Sequence, residues 1–89
     1  MSGRTIKTEA ILESKKISGL SPTANRIFYR LILLADEDGD YKSTTKKIDP
    51  SVDQIEIDIA LQELDSVKLI AISGNTALNI LNFKKWVEL

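Results

Sequence analysis

The stretch "SVDQIEIDIALQELDSVKLI", Ser51 to Ile70, decides the fold. Placed at 100° per residue, Ile57, Ala60, Leu61, Leu64 and Val67 fall on one broad apolar stripe, as a helix packed on a core requires. Ser51 or Asp53 is a good cap for that helix, which is expected to run to about Val67. Val52, Ile55 and Ile59 form a second apolar line. The same helix holds Asp53, Glu56, Asp58, Glu63 and Asp65, and no Lys or Arg occurs between Lys47 and Lys68. What such a helix faces is the main question the sequence raises.

Upstream, Asp49-Pro50 stops whatever precedes, because the residue before Pro is driven out of the α region. In "YKSTTKKI", Tyr41-Lys42 can extend briefly, and Ser43 can cap one or two helical turns ending at Ile48. "DEDGD", Asp36 to Asp40, reads as an acidic, solvated turn, with Gly39 free to take positive φ. It does not read as an EF-hand, because the twelfth position from Asp36 is Lys47, where a Glu ligand is needed. Before it, Ser21-Pro22 is a strong helix start. Ala24, Ile27, Phe28, Leu31 and Ala35 then share one face, with Arg26 and Arg30 one turn apart on another. "EAILESKKI", Glu9 to Ile17, predicts a brief helix burying Ile11, Leu12 and Ile17, and "RTIK", Arg4 to Lys7, a short strand.

Downstream, Leu69 to Ile72 and Ala77 to Leu81 predict two strands, with Gly74-Asn75 as a two-residue hairpin loop. In "NFKKWVEL", Phe83 and Trp86 are packing residues. The order is strand, helix, long helix, short helix, tight turn, long helix, hairpin. It predicts a mainly α domain with a small β-sheet (α+β), arranged as a winged helix-turn-helix with three core helices and a two-stranded wing. One such domain is expected over residues 1–89.

Composition narrows the function classes. Hydrophobic content of 43% with 28% charged residues is that of an ordinary globular chain, and 6% aromatics leave the core to Ile and Leu. The net charge of −1 is unevenly laid out: +3 over residues 1–48, −6 over 49–67 and +2 over 68–89. Nucleic-acid binding would therefore need a local basic patch. With no His and no Cys, and no phosphate-cradling Gly loop, neither catalysis nor a metal or other cofactor is expected. The longest apolar run is Leu31 to Leu34, so no membrane association is expected. "MSGRTIK" has no apolar signal-peptide region, which predicts a cytoplasmic protein.

"RTIK…SKKISGLSPTANRIFYRLILLADEDGDY" resembles the N-terminal domain of phage and prophage replication-initiation (replisome-organiser) proteins. The resemblance is carried by Arg4, Ile6 and Lys7, then Leu20, Ser21, Pro22 and Ala24, then Leu34, Ala35, Asp36 and Gly39. "IALQELDSVKLIAI" and "LNILNFKKW" are similar to that family's later helix–strand segment and closing strand. The segment from Tyr41 to Ser51 is shorter than in the family, so its helix is expected to be a single turn. The second domain that many members carry is not among the residues up to Leu89. The resemblance implies double-stranded DNA binding, or assembly with replication proteins, in a bacterial host.

Two surfaces are candidates for that role. For DNA, Lys42, Lys46 and Lys47 with Ser43, Thr44 and Thr45 supply charges and hydroxyls for phosphates, Lys84 and Lys85 add to them, and Ser51 and Gln54 stand where base edges would be met. Such binding is expected to be weak for a monomer. The alternative is a protein-interaction or homodimer face formed by Val52, Ile55 and Ile59, provided that these side chains are exposed rather than core.

Overall fold

The helix that opens at Ser21-Pro22 organises the chain. In the computed structural model, which describes residues 5–74 and 77–88, it is α3 (Pro22–Leu34) in the order β1 (Thr5–Ile6), α1 (Thr8–Glu13), α2 (Lys15–Ser18), α3. There follow β2 (Asp40–Tyr41), a 3-10 turn (Thr45–Lys47), α4 (Gln54–Ser66), β3 (Ile70–Gly74), β4 (Ala77–Ile80), α5 (Phe83–Trp86) and β5 (Val87–Glu88). The protein is an α+β domain with small antiparallel sheets. No helix among the described residues is long and apolar enough to cross a membrane.

Ser21 Oγ accepts from the Ala24 N–H at 3.2 Å, and Pro22 follows it in the first turn. Glu63 of α4 in turn accepts from the Ser21 N–H and hydroxyl at 2.8 and 2.9 Å. The predicted stripe Ala24, Ile27, Phe28, Leu31 and Ala35 is buried, together with Ile32. It packs against α4, which buries Ile57, Ala60, Leu61 and Leu64, with Val67 half-buried. Helix α4 begins at Gln54 with Asp53 as its cap residue. It ends in a Schellman turn, in which the Lys68 N–H reaches Asp65 O at 3.1 Å and the Leu69 N–H reaches Leu64 O at 3.0 Å. Lys68 stands where glycine is usual and has φ 63°.

The sheet has three strands in the order β2–β4–β3, one more than the expected two-stranded wing. Asp40 and Tyr41 pair with Asn79 and Leu78, which the sequence of β2 alone does not announce. Leu78 and Ile80 face the core. Gly74 pairs with Ala77 and is a strand residue, not a loop residue as predicted; Asn75, the other half of the expected loop, lies outside the described residues.

Three further expectations are corrected. The predicted helix over Glu9–Ile17 is two helices, because Ser14 is extended and its hydroxyl caps the second by accepting from the Ile17 N–H at 3.3 Å. Leu12 is consequently 72% exposed, while Ile11 and Ile17 are buried. The turn after Tyr41 is a single 3-10 turn whose cap position is Thr44, not Ser43. The C-terminal segment forms α5 and β5. Phe83 and Trp86 are buried as expected, Trp86 meets Phe28 edge-on at 5.9 Å, and β5 pairs with β1.

Candidate functional site

Helix α4 presents a sharply divided surface. Its buried residues centre on one side of the helical wheel, and the direction opposite them holds Ile55, Ile59, Gln62 and Ser66. Ile55 is 73% exposed and Ile59 60%. Asp58 and Asp65 flank this line on one side, Glu56 and Glu63 on the other, while the line itself is uncharged. The second apolar line is thus not core, with one exception: Val52 is half-buried and packs against the core. The predicted trio reduces to an exposed pair. Among the described residues, Leu12, Tyr29, Leu33, Leu34 and Ile72 are the other exposed large apolar residues, none of them on α4.

The candidate DNA residues fall into two separated sets. Lys42 and Lys47 are exposed, with Ser43 and Thr45 half-buried and Thr44 exposed between them. Lys46 is exposed too, but its ammonium donates to the carbonyl of Val52. The carbonyl of Thr44 accepts from the Tyr41 hydroxyl at 2.9 Å. Thr45 lies against the first turn of α4, where Gln54 Nε2 donates to Thr45 Oγ1 at 2.6 Å and to Asp58 Oδ1 at 2.9 Å. These residues edge an open groove bounded by Leu61, Gln62, Ile72 and Gly74. Lys84 and Lys85 do not join them. Lys85 shares a groove with Lys68, just past the other end of α4, and the 13 residues of α4 place the two ends about 20 Å apart.

Ser51 is also engaged. Its N–H and hydroxyl donate to Asp49 Oδ1 at 3.2 and 2.6 Å, and Arg26 Nη2 donates to its oxygen at 3.2 Å. Asp49, 1% exposed, is the buried charged residue at the centre of this network. Arg26 Nε donates to its other oxygen, from which Arg30 Nε is 3.8 Å away, and Arg30 also donates to the carbonyl of Ile48. The Ser51 hydroxyl, followed by Arg26, holds the Asp49 carboxyl down at about 2, against the opposing effect of burial. Sequence reading took Asp49 only as a helix stop. The signal available was Asp-Pro-Ser, an Asx-turn pattern, behind a helix with Arg at i and i+4.

No family model, curated protein or solved structure matches this chain.

The carboxylates of Asp36, Asp38 and Asp40 lie within 4.8 Å of one another. Asp36 Oδ1 accepts from the N–H groups of Asp38 and Asp40 at 2.9 and 3.0 Å, and Asp40 Oδ1 from Asn79 Nδ2 at 2.7 Å. These bonds make the carboxylates of Asp36 and Asp40 builders of the turn.

Proposed function

We propose that this protein is a non-catalytic interaction module of winged-helix type whose helix α4 docks on a second copy of the chain. The order α3, β2, 3-10 turn, α4, β3–β4, with β2 beside β4, supports the winged-helix reading. The observation that carries the functional reading is the exposure of Ile55 and Ile59 on the outermost line of α4. In a groove-binding winged helix that line would meet DNA. Here it is apolar at its centre and flanked by four carboxylates, with no cation to neutralise a phosphate.

A second copy suits the line because the charges stand beside it. Two α4 helices crossing at the isoleucines bring apolar and amide groups together and leave the acids at the rim. Burying four isoleucine side chains gains about 1.5–3 kcal/mol each. Association itself costs about 4–15 kcal/mol, so the pair is weak. The acidic rims repel, and salt screens that repulsion, so dimerisation should strengthen as salt is added. Sedimentation of the wild type against Ile55→Asp tests this. A wild type that stays monomeric at every concentration and salt would contradict the reading.

DNA contact through the first turn of α4 is the weaker reading. Ser51, Gln54 and Lys46 are engaged within the fold, Asp53 and Asp58 stand beside them, and the contact would rest on Lys42 and Lys47. Changing both lysines to Gln is expected to leave the affinity for a duplex nearly unchanged in an anisotropy titration. A large loss would restore this face as the DNA site. The resemblance to replication-initiation proteins is in keeping with a dimeric module inside a replication assembly.

A further inference from the structure

Four basic side chains gather at the other end of α4. Lys15 and Lys16 of α2, Lys68 of the turn after α4, and Lys85 of α5 line one groove of about 340 Å³, with Ser14 and Asn82. None of the four lysines is ion-paired among the described residues, where the ion pairs are those of Arg26 and Arg30 with Asp49. One carboxylate, Glu13, lines the groove with them. We propose that this groove binds phosphates in series, as presented by a nucleic-acid backbone or a free polyphosphate. This holds whether or not α4 docks a second copy.

Four unpaired ammonium groups in one groove repel one another, and a polyanion relieves that repulsion while releasing its own counterions. The groove walls are fixed. Leu69 O accepts from the Leu81 N–H at 3.0 Å, which ties the Lys68 turn to the segment holding Asn82. Lys85 Nζ lies 5.1 Å from the centre of the Trp86 ring, which holds that ammonium over an aromatic face. The negative end of the α4 dipole opposes an anion here, but the Schellman bonds occupy its last carbonyls and Lys68 offsets it. Lysines outnumber the groups that could read bases: Asn82 and Ser14 line the groove, but it has no Arg or Gln, and Trp86 is buried. Recognition is therefore of phosphates and independent of sequence.

The test is an anisotropy titration of a labelled random-sequence duplex over a potassium chloride series, with inorganic tripolyphosphate as competitor. The proteins are the wild type, Lys15→Gln/Lys16→Gln, Lys85→Gln, Lys42→Gln/Lys47→Gln and Ile55→Asp, each checked for folding by its melting curve. Loss of two phosphate contacts should lower the slope of log affinity against log salt by about two and weaken binding about tenfold at the lowest salt. Lys85→Gln should lower the slope by about one, and the other two variants should keep the wild-type slope. Duplex binding that tripolyphosphate displaces supports the proposal with nucleic acid as the source. Tripolyphosphate binding in a direct calorimetric titration, without duplex binding, supports it with free polyphosphate as the source. No binding of either by the wild type, or groove variants indistinguishable from it, would overturn the proposal. So would binding confined to anionic lipid vesicles. A groove variant that loses only self-association would overturn it in favour of a second copy's acidic α4 as the occupant.

Discussion

Asp49 shows how one residue can join two segments. Its carboxylate is buried, accepts from Ser51 and Arg26, and so ties the start of α4 to the middle of α3. Its ordinary value is 3.8, and in the fold it lies at about 2. A depressed carboxyl stabilises the fold fully above its unfolded value, and that contribution is lost as pH falls through the folded one. The advantage of the wild type over Asp49→Asn in urea unfolding should therefore be constant above about pH 4 and shrink between about pH 4 and 2. A difference independent of pH over that window would remove the charge from the account. Gly39 carries a different constraint. At φ 83° an added Cβ would lie 2.8 Å from Phe83 Cβ, so space and backbone both require glycine. Gly39→Ala should cost about 1–3 kcal/mol. That would lower the melting temperature by at least about 4 °C in a domain of this size. An unchanged melting curve would show that α5 can move aside.

At the scale of elements, α3, α4 and the β3–β4 hairpin were legible because each has enough residues to show its period. Ser21-Pro22 and the stripe from Ala24 to Ala35 predict α3 almost to the residue. Of the two-residue strands, β1 falls within the strand expected over Arg4 to Lys7, whereas β5, defined only by its pairing with β1 from the opposite end of the chain, was not legible. The break at Ser14 was hidden for a local reason: its hydroxyl caps α2 in the middle of a run that reads as helix throughout. Whether Ile55 and Ile59 are core or surface was also beyond the sequence. A helix with two apolar lines can bury both, and only the packing of α3 on the Ile57–Leu64 side settles which one stays out. Because they are exposed, Ile55→Asp and Ile59→Asp should leave the melting temperature within a few degrees of wild type, whereas Ile57→Ala, in the core, should cost about 2–5 kcal/mol. Thermal melts of the three variants check this. An unfolded Ile55→Asp would place that side chain in the core.

For the whole molecule, the near-zero net charge conceals a sorting of charge along α4. Carboxylates flank its exposed face and lysines collect past its C-terminal end, about 20 Å from its first turn. The uneven balance along the chain was visible in the sequence. That Lys15, Lys16, Lys68 and Lys85 meet was not, because α2, the end of α4 and α5 come together only in the fold. Docking through α4 and phosphate binding past its end respond to salt in opposite directions, the first strengthened by screening and the second weakened. Sedimentation equilibrium of the wild type and Ile55→Asp over a salt series tests the docking face most directly. The account predicts a weak wild-type dimer that grows with salt and a folded, monomeric Ile55→Asp. A wild type that is monomeric throughout, or a dimer that Ile55→Asp leaves intact, would contradict it.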